Sequence, residues 1–186
     1  MFIQTETTPN PATIKFIPGH PVAPGGSLEV RTIDETSVSP LAARLFRVTG
    51  VGSVFLGSDF VSVTKAEDAD WSYMKPQVLA AIMEHYLSGI PAVDDSALNR
   101  SSDISGIENE VVRQICELIE TRVRPAVARD GGDIEFVKFD EGIVWLRMKG
   151  ACAGCPSSTA TLKMGIENML KHFVPEVLSV EQYADY

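Results

Sequence analysis

Apolar residues alternate with polar ones at period two in some stretches of the chain and at a helical period in others. In the first half, "FIQTETT", "TIKFIPG" and "SLEVRT" predict short strands, the last with Leu28, Val30 and Thr32 on one face. "SPLAARLFRVTG" predicts a helix that Ser39 caps, Pro40 opens and Gly50 stops. "GSVFLGSDFVSVTKA" predicts a hairpin about its central "GSD". "ADWSYMKPQVLAAIMEHYLSG" predicts a second helix, with Val78, Ile82, Met83 and His85 or Tyr86 at helical spacing. Asp70 can cap that helix, and Pro76 then either kinks it or marks its true first turn.

The pattern then lapses. "GIPAVDDSALNRSSDISG" is rich in Ser, Asp, Pro and Gly and has no period, so it reads as a linker. Beyond it, "IENEVVRQICELIETRV" carries Val112, Ile115, Cys116, Ile119 and Val123 on one helical face, until Pro125 breaks or restarts the helix. "DGGD" reads as a turn, and "DIEFVKF" and "GIVWLRMKG" as a hairpin joined at "DEG". After a cysteine-bearing loop, "SSTATLKMGIENMLKHF" predicts a helix whose buried stripe is Leu162, Ile166, Met169, Leu170 and Phe173. "EVLSVEQY" supplies a last strand, expected to lie parallel to a neighbour. The expected fold class is α+β: two small domains, each a short sheet with helices on one face, joined by a flexible linker. The expected limits are 1–90, a linker over 91–104, and 105–186.

Composition narrows the function. A formal net charge of −9, spread over both halves, argues against nucleic-acid and anionic-membrane partners, which need basic surfaces. Three cysteines make no disulfide framework. The chain opens on a strand-like run rather than a leader, which leads to the expectation of a soluble protein of a reducing compartment.

The chemistry concentrates in "GACAGCPSS", residues 150–158. Pro156 suits the first position of a helix, so Cys155 or a following serine caps it and the Cys152–Cys155 pair lies at the positive end of the helix dipole. That position favours thiolate, the form that binds soft metals and attacks disulfides. Small neighbours leave room for a bulky inorganic ligand, and an exposed pair contributes little as core filler. Tetrahedral zinc and [4Fe–4S] clusters each want four protein ligands. His20, His85 and His172 lack metal spacing to the pair, and Cys116 lies on an apolar helix face where a core role fits better. Two copies of the chain, each giving Cys152 and Cys155, complete four thiolates on a two-fold axis. Redox exchange, zinc and iron all remain open to the motif by itself.

The context is more specific. "DGGDIEFVKF" followed by "GIVWLRMKGACAGCPSSTATLKMGIENMLKHFVPEV" resembles the C-terminal domain of NifU-like (Nfu-type) iron–sulfur cluster scaffold and carrier proteins. "MFIQTETTPNPATIKFIPG" resembles the Nfu N-terminal domain of their two-domain members. The resemblance implies a homodimer that holds a labile [4Fe–4S] cluster through Cys152 and Cys155 of both subunits. It implies a carrier rather than an enzyme, receiving its cargo from upstream assembly proteins and delivering it to apo iron–sulfur clients. Cys116 is not part of the motif, and the N-terminal domain is expected to serve docking or assembly. Mitochondrial members carry a transit peptide. This sequence begins at the domain, so a bacterial-type cytoplasmic location is expected. The rival readings are a thioredoxin-like dithiol oxidoreductase and a zinc-bridged structural dimer.

Overall fold

The computed structural model describes residues 1–100 and 107–184. The chain is α+β and divides after Arg100 into two compact units.

The first unit is an antiparallel sheet of β1 (Gln4–Thr7), β2 (Thr13–Ile17), β3 (Gly26–Val30), β4 (Val51–Leu56), β5 (Val61–Lys65) and β6 (Asn99–Arg100), in the order β1-β2-β5-β4-β3-β6. Helices α1 (Pro40–Leu45) and α2 (Trp71–Leu87) pack with it around Phe16, Val30, Leu41, Val63, Val78 and Ile82. Both predicted caps form: the Ser39 hydroxyl accepts from the Ala42 N–H at 3.0 Å, and Asp70 accepts from the Ser72 N–H at 2.8 Å. Pro76 lies inside α2, whose single lost hydrogen bond is outweighed by burial of Met74, Val78 and Ile82. Met83, expected on the buried stripe, is exposed, while Met74 takes a core place.

The expected linker starts too early. Ala92 and Val93 are buried in the first core, the Ser39 hydroxyl donates to the Ala92 carbonyl at 2.7 Å, and the β6 backbone pairs with β3. Its composition signals loop, but two apolar residues suffice to anchor a loop to a core. Positions 101–104 of that linker lie outside the described residues.

His85 is 0% exposed, and neither ring nitrogen has a hydrogen-bond partner among the described residues. Burial, and then the Arg44 charge, push its pKa below 6.5. The unfolded chain therefore takes up this proton first, and the stability contributed at neutral pH is lost as pH falls below the unfolded value. Replacing His85 with leucine is expected to stabilise the first unit by about 1 kcal/mol and to flatten its stability between pH 7 and pH 5. Urea denaturation at both pH values checks this.

The second unit begins with α3 (Glu110–Leu118), capped by Asn109, whose side-chain oxygen accepts from the Val111 and Val112 N–H groups. Pro125 does not break this helix. The chain widens into a π turn over Ile119–Val123 and continues as α4 (Arg124–Arg129), which accommodates the missing donor and the bulk of the ring. Strands β7 (Gly132–Asp140) and β8 (Ile143–Gly150) form the expected hairpin, turning on Glu141 (φ 48°) and Gly142 (φ 81°). α5 (Pro156–Phe173) then leads to β9 (Ser179–Gln182), which pairs parallel to β8. Ile115, Ile119, Leu146, Ile166 and Leu170 fill the core. Phe173, expected in the α5 stripe, is 38% exposed and lies under the Arg122 guanidinium at 4.6 Å. "DGGD" is only half a turn, because Gly132 and Asp133 already belong to β7. Among the described residues no helix is long and apolar enough to cross a membrane.

Candidate metal centre

The cysteine pair occupies the turn between β8 and α5. Strand β8 ends where Gly150 pairs with Gly132 of β7, and Gly150 takes a φ of 64° that turns the chain out of the sheet. Cys155 is the N-cap of α5 with Pro156 following it, one of the alternatives the sequence leaves open. Its sulfur does not cap the helix; it lies 3.5 Å from the Ser157 hydroxyl. Hydrogen bonds from Ser158 and Ser157 bring its pKa down to about 7. Thiolate at Cys155 is therefore well populated at neutral pH.

Cys152 differs. The sequence reading makes both cysteines exposed, but Cys152 is only 6% exposed and belongs to the core of the second unit. Burial pushes its thiol up to about 12, and the Asp130 and Asp133 charges add to this. The cause of its burial lies in β7. A Cβ placed on Gly132 would stand 2.5 Å from the Cys152 sulfur, so the sulfur fills space that any other residue would occupy. The Ala151 N–H donates to the Gly131 carbonyl at 3.2 Å, and the Thr159 hydroxyl to the Cys152 carbonyl at 3.0 Å.

Beside this turn runs an ion network that sequence reasoning misses. Arg124 Nε and Nη2 donate to the two carboxylate oxygens of Asp133, each at 2.8 Å, and Nη1 donates to Glu120 at 2.8 and 2.9 Å. The π turn brings Glu120 and Arg124 together and presents the guanidinium to the start of β7. Asp133 Oδ1 also accepts from the Ile134 N–H at 2.8 Å.

The other sequence candidates stay apart from the pair. Cys116 is buried on α3, its thiol pushed up to about 11 by burial and by Glu120. His20 stacks on Tyr86 at 5.3 Å in the first unit, His85 sits in that unit's core, and His172 packs edge-on to Phe173 at 4.9 Å. Among the described residues no group of three or more His, Cys, Asp or Glu side chains gathers as a ligand set.

An α+β module with a cysteine pair at a helix start, preceded by a second α+β module, defines the class, and comparison with known proteins gives the family. The Nfu/NifU scaffold protein N-terminal family matches residues 3–89, and the NifU-like domain family matches residues 115–181. A NifU-like protein 4, mitochondrial, of Arabidopsis thaliana is 52% identical over 189 residues, covering 100% of this chain and 67% of that protein. An NFU1 iron-sulfur cluster scaffold homolog, mitochondrial, of Drosophila willistoni is 48% identical over 186 residues, covering 100% and 64%. A solved NifU-like protein from Saccharomyces cerevisiae is 26% identical with a TM-score of 0.45, covering 50% of this chain and 84% of its own. The chain belongs to the NifU-like (Nfu) family of iron–sulfur cluster scaffold proteins. It spans about two thirds of the length of the curated relatives it matches.

These relatives also correct one expectation. Both are named as mitochondrial proteins, so the bacterial-type cytoplasmic location does not stand. That reading rested on where the sequence starts, and targeting segments lie outside the folded domain.

Proposed function

We propose that two copies of this chain hold a [4Fe–4S] cluster through their Cys152 and Cys155 thiolates and pass it to apo iron–sulfur proteins. The observation that carries this reading is the half-complete ligand set: two cysteines flank one tight turn, and among the described residues nothing else gathers as ligands. A four-thiolate site then draws its second half from another copy. The cluster is cargo, and the chain acts as carrier rather than enzyme. Cys155, about half thiolate at neutral pH, is ready to take iron, while the Ser157 and Ser158 hydrogen bonds favour its charged form. Upstream assembly proteins and apo clients are the partners this role requires.

Anaerobic incubation with ferrous iron and sulfide, followed by size-exclusion chromatography with cluster detection, tests the reading. A brown dimer with a thiolate-to-iron charge-transfer band and about four irons per dimer is the expected result. A colourless dimer purified without oxygen and holding zinc at half-stoichiometry would replace it with the zinc-bridged reading. Insulin reduction at thioredoxin-like rates, without cluster, would replace it with the oxidoreductase reading.

A further inference from the structure

We infer that Cys152 occupies a closed seat in the metal-free chain, that Thr159 is the positioning residue that latches it there, and that loading requires the turn between Gly150 and Gly154 to open. The inference rests on the reading of Cys152 and Cys155 as cluster ligands.

A metal shared between two chains needs each ligand sulfur at the protein surface. Cys155 is near that condition; Cys152, 6% exposed against Gly132, is not. Three of the hydrogen bonds among the described residues keep the turn closed. Two are backbone to backbone: the Ala151 N–H to the Gly131 carbonyl at 3.2 Å, and the Ala153 N–H to the Gly150 carbonyl at 3.1 Å. The third is the Thr159 hydroxyl to the Cys152 carbonyl at 3.0 Å.

Thr159 is the residue that ties both cysteines. Its backbone N–H donates to the Cys155 carbonyl at 2.9 Å while its hydroxyl holds Cys152. It sits in the first turn of α5, so it anchors the loop to a rigid element. The hinges are present as well: Gly150 and Gly154 bracket the turn at φ 64° and 79°, a region glycine enters without the Cβ penalty of other residues. Cys155 therefore engages iron first. Cys152 joins once the Thr159 hydrogen bond breaks and its sulfur leaves the Gly132 seat. The seat and the cluster compete for the same sulfur, so a strong latch slows loading and eases release.

The test uses the full metal-free chain and iodoacetamide, with each cysteine resolved by peptide mass spectrometry and normalised to its rate in urea. Cys152 is expected to be protected at least about tenfold more than Cys155. Thr159→Val should raise the Cys152 rate about fivefold, the effect of one lost hydrogen bond, and leave Cys155 unchanged. Thr159→Ser keeps the hydroxyl and should keep the protection. Loaded with cluster, Thr159→Val should lose iron to a chelator more slowly than the parent chain. Equal rates at Cys152 and Cys155 in the parent chain would overturn the closed seat. An unchanged Cys152 rate in Thr159→Val would overturn the latch. If buried Cys116 also becomes reactive in Thr159→Val, the whole unit has loosened and Thr159→Ser decides: protection retained supports the latch, protection lost overturns it. The alkylation pattern needs no cluster. A failed cluster reading would therefore appear as missing colour with the protection pattern intact.

Discussion

Replacing Gly132 with valine is expected to destabilise the second unit and to drive the Cys152 sulfur out of its closed place, so that it reacts with iodoacetamide faster than in the parent chain. A Cβ on Gly132 meets the Cys152 sulfur at 2.5 Å, the Lys149 carbonyl oxygen at 2.8 Å and the Cys152 nitrogen at 3.0 Å. The sulfur is able to swing away, but the other two atoms are backbone. Relief of those contacts must push the end of β8 away from β7, and with it the turn that carries both cysteines. Overpacking of this kind costs about 1–3 kcal/mol, and valine should fall at the upper end. In a unit of this size, each kcal/mol lowers the melting temperature by about 4–8 °C. Thermal unfolding and iodoacetamide labelling, run on Gly132→Ala and Gly132→Val, check the prediction, with the smaller effect expected for alanine. An unchanged Cys152 labelling rate and an unchanged melting temperature in Gly132→Val would show that the sulfur does not sit against Gly132.

Arg124→Met is expected to lower the stability of the second unit by about 3 kcal/mol, the lower part of the range for removing one partner of a buried ion pair. The Asp133 and Glu120 side chains are 11% and 24% exposed, and Arg124 is the cation that faces both. Without it both carboxylates lose the guanidinium that offsets their charge. Lysine is expected to rescue little, because a point charge on a flexible stem cannot reproduce the two-oxygen fork to Asp133 and also reach Glu120. Pairing Arg124→Met with Asp133→Asn should recover part of the loss by removing the stranded charge. Urea denaturation in a Trp71→Phe background, where Trp145 is the fluorescent reporter, measures all three. A loss below about 1 kcal/mol would place the network with ordinary surface ion pairs.

These two expectations share a root. Gly132 and Asp133 are adjacent on β7, and one shapes the Cys152 seat while the other anchors the strand to the helix before it. Damage at either point reaches the cysteine turn through the same few residues.

The positions that carried local chemistry were legible in the sequence. Ser39 and Asp70 are side chains whose oxygens suit helix starts, and such caps depend on neighbours two or three residues away. Pro156 marked the start of α5 in the same way, and the "DEG" turn set the hairpin that ends at the cysteines. Met83 and Phe173 were misplaced because helical spacing specifies a face only to within a residue or so, and the neighbouring elements decide which residues they cover. Ala92 and Val93 were missed because a two-residue apolar contact has no period. Pro125 left a break and a restart both open, because the π turn that absorbs it depends on the packing of α3 and α4 against the second core.

The sequence by itself determined the two α+β modules, the position of the cysteine pair, the helix start that presents Cys155, and the family resemblance. All of these follow from short-range stereochemistry or from residue identity. Only the tertiary structure decided that the two cysteines are unlike. Burial of Cys152 depends on a missing side chain on another strand, and the geometry of that strand's start depends on an arginine in the preceding helix. Such contacts join residues far apart in the chain and leave no periodic trace. They arise only once the strands are in register and the core has closed around the sulfur.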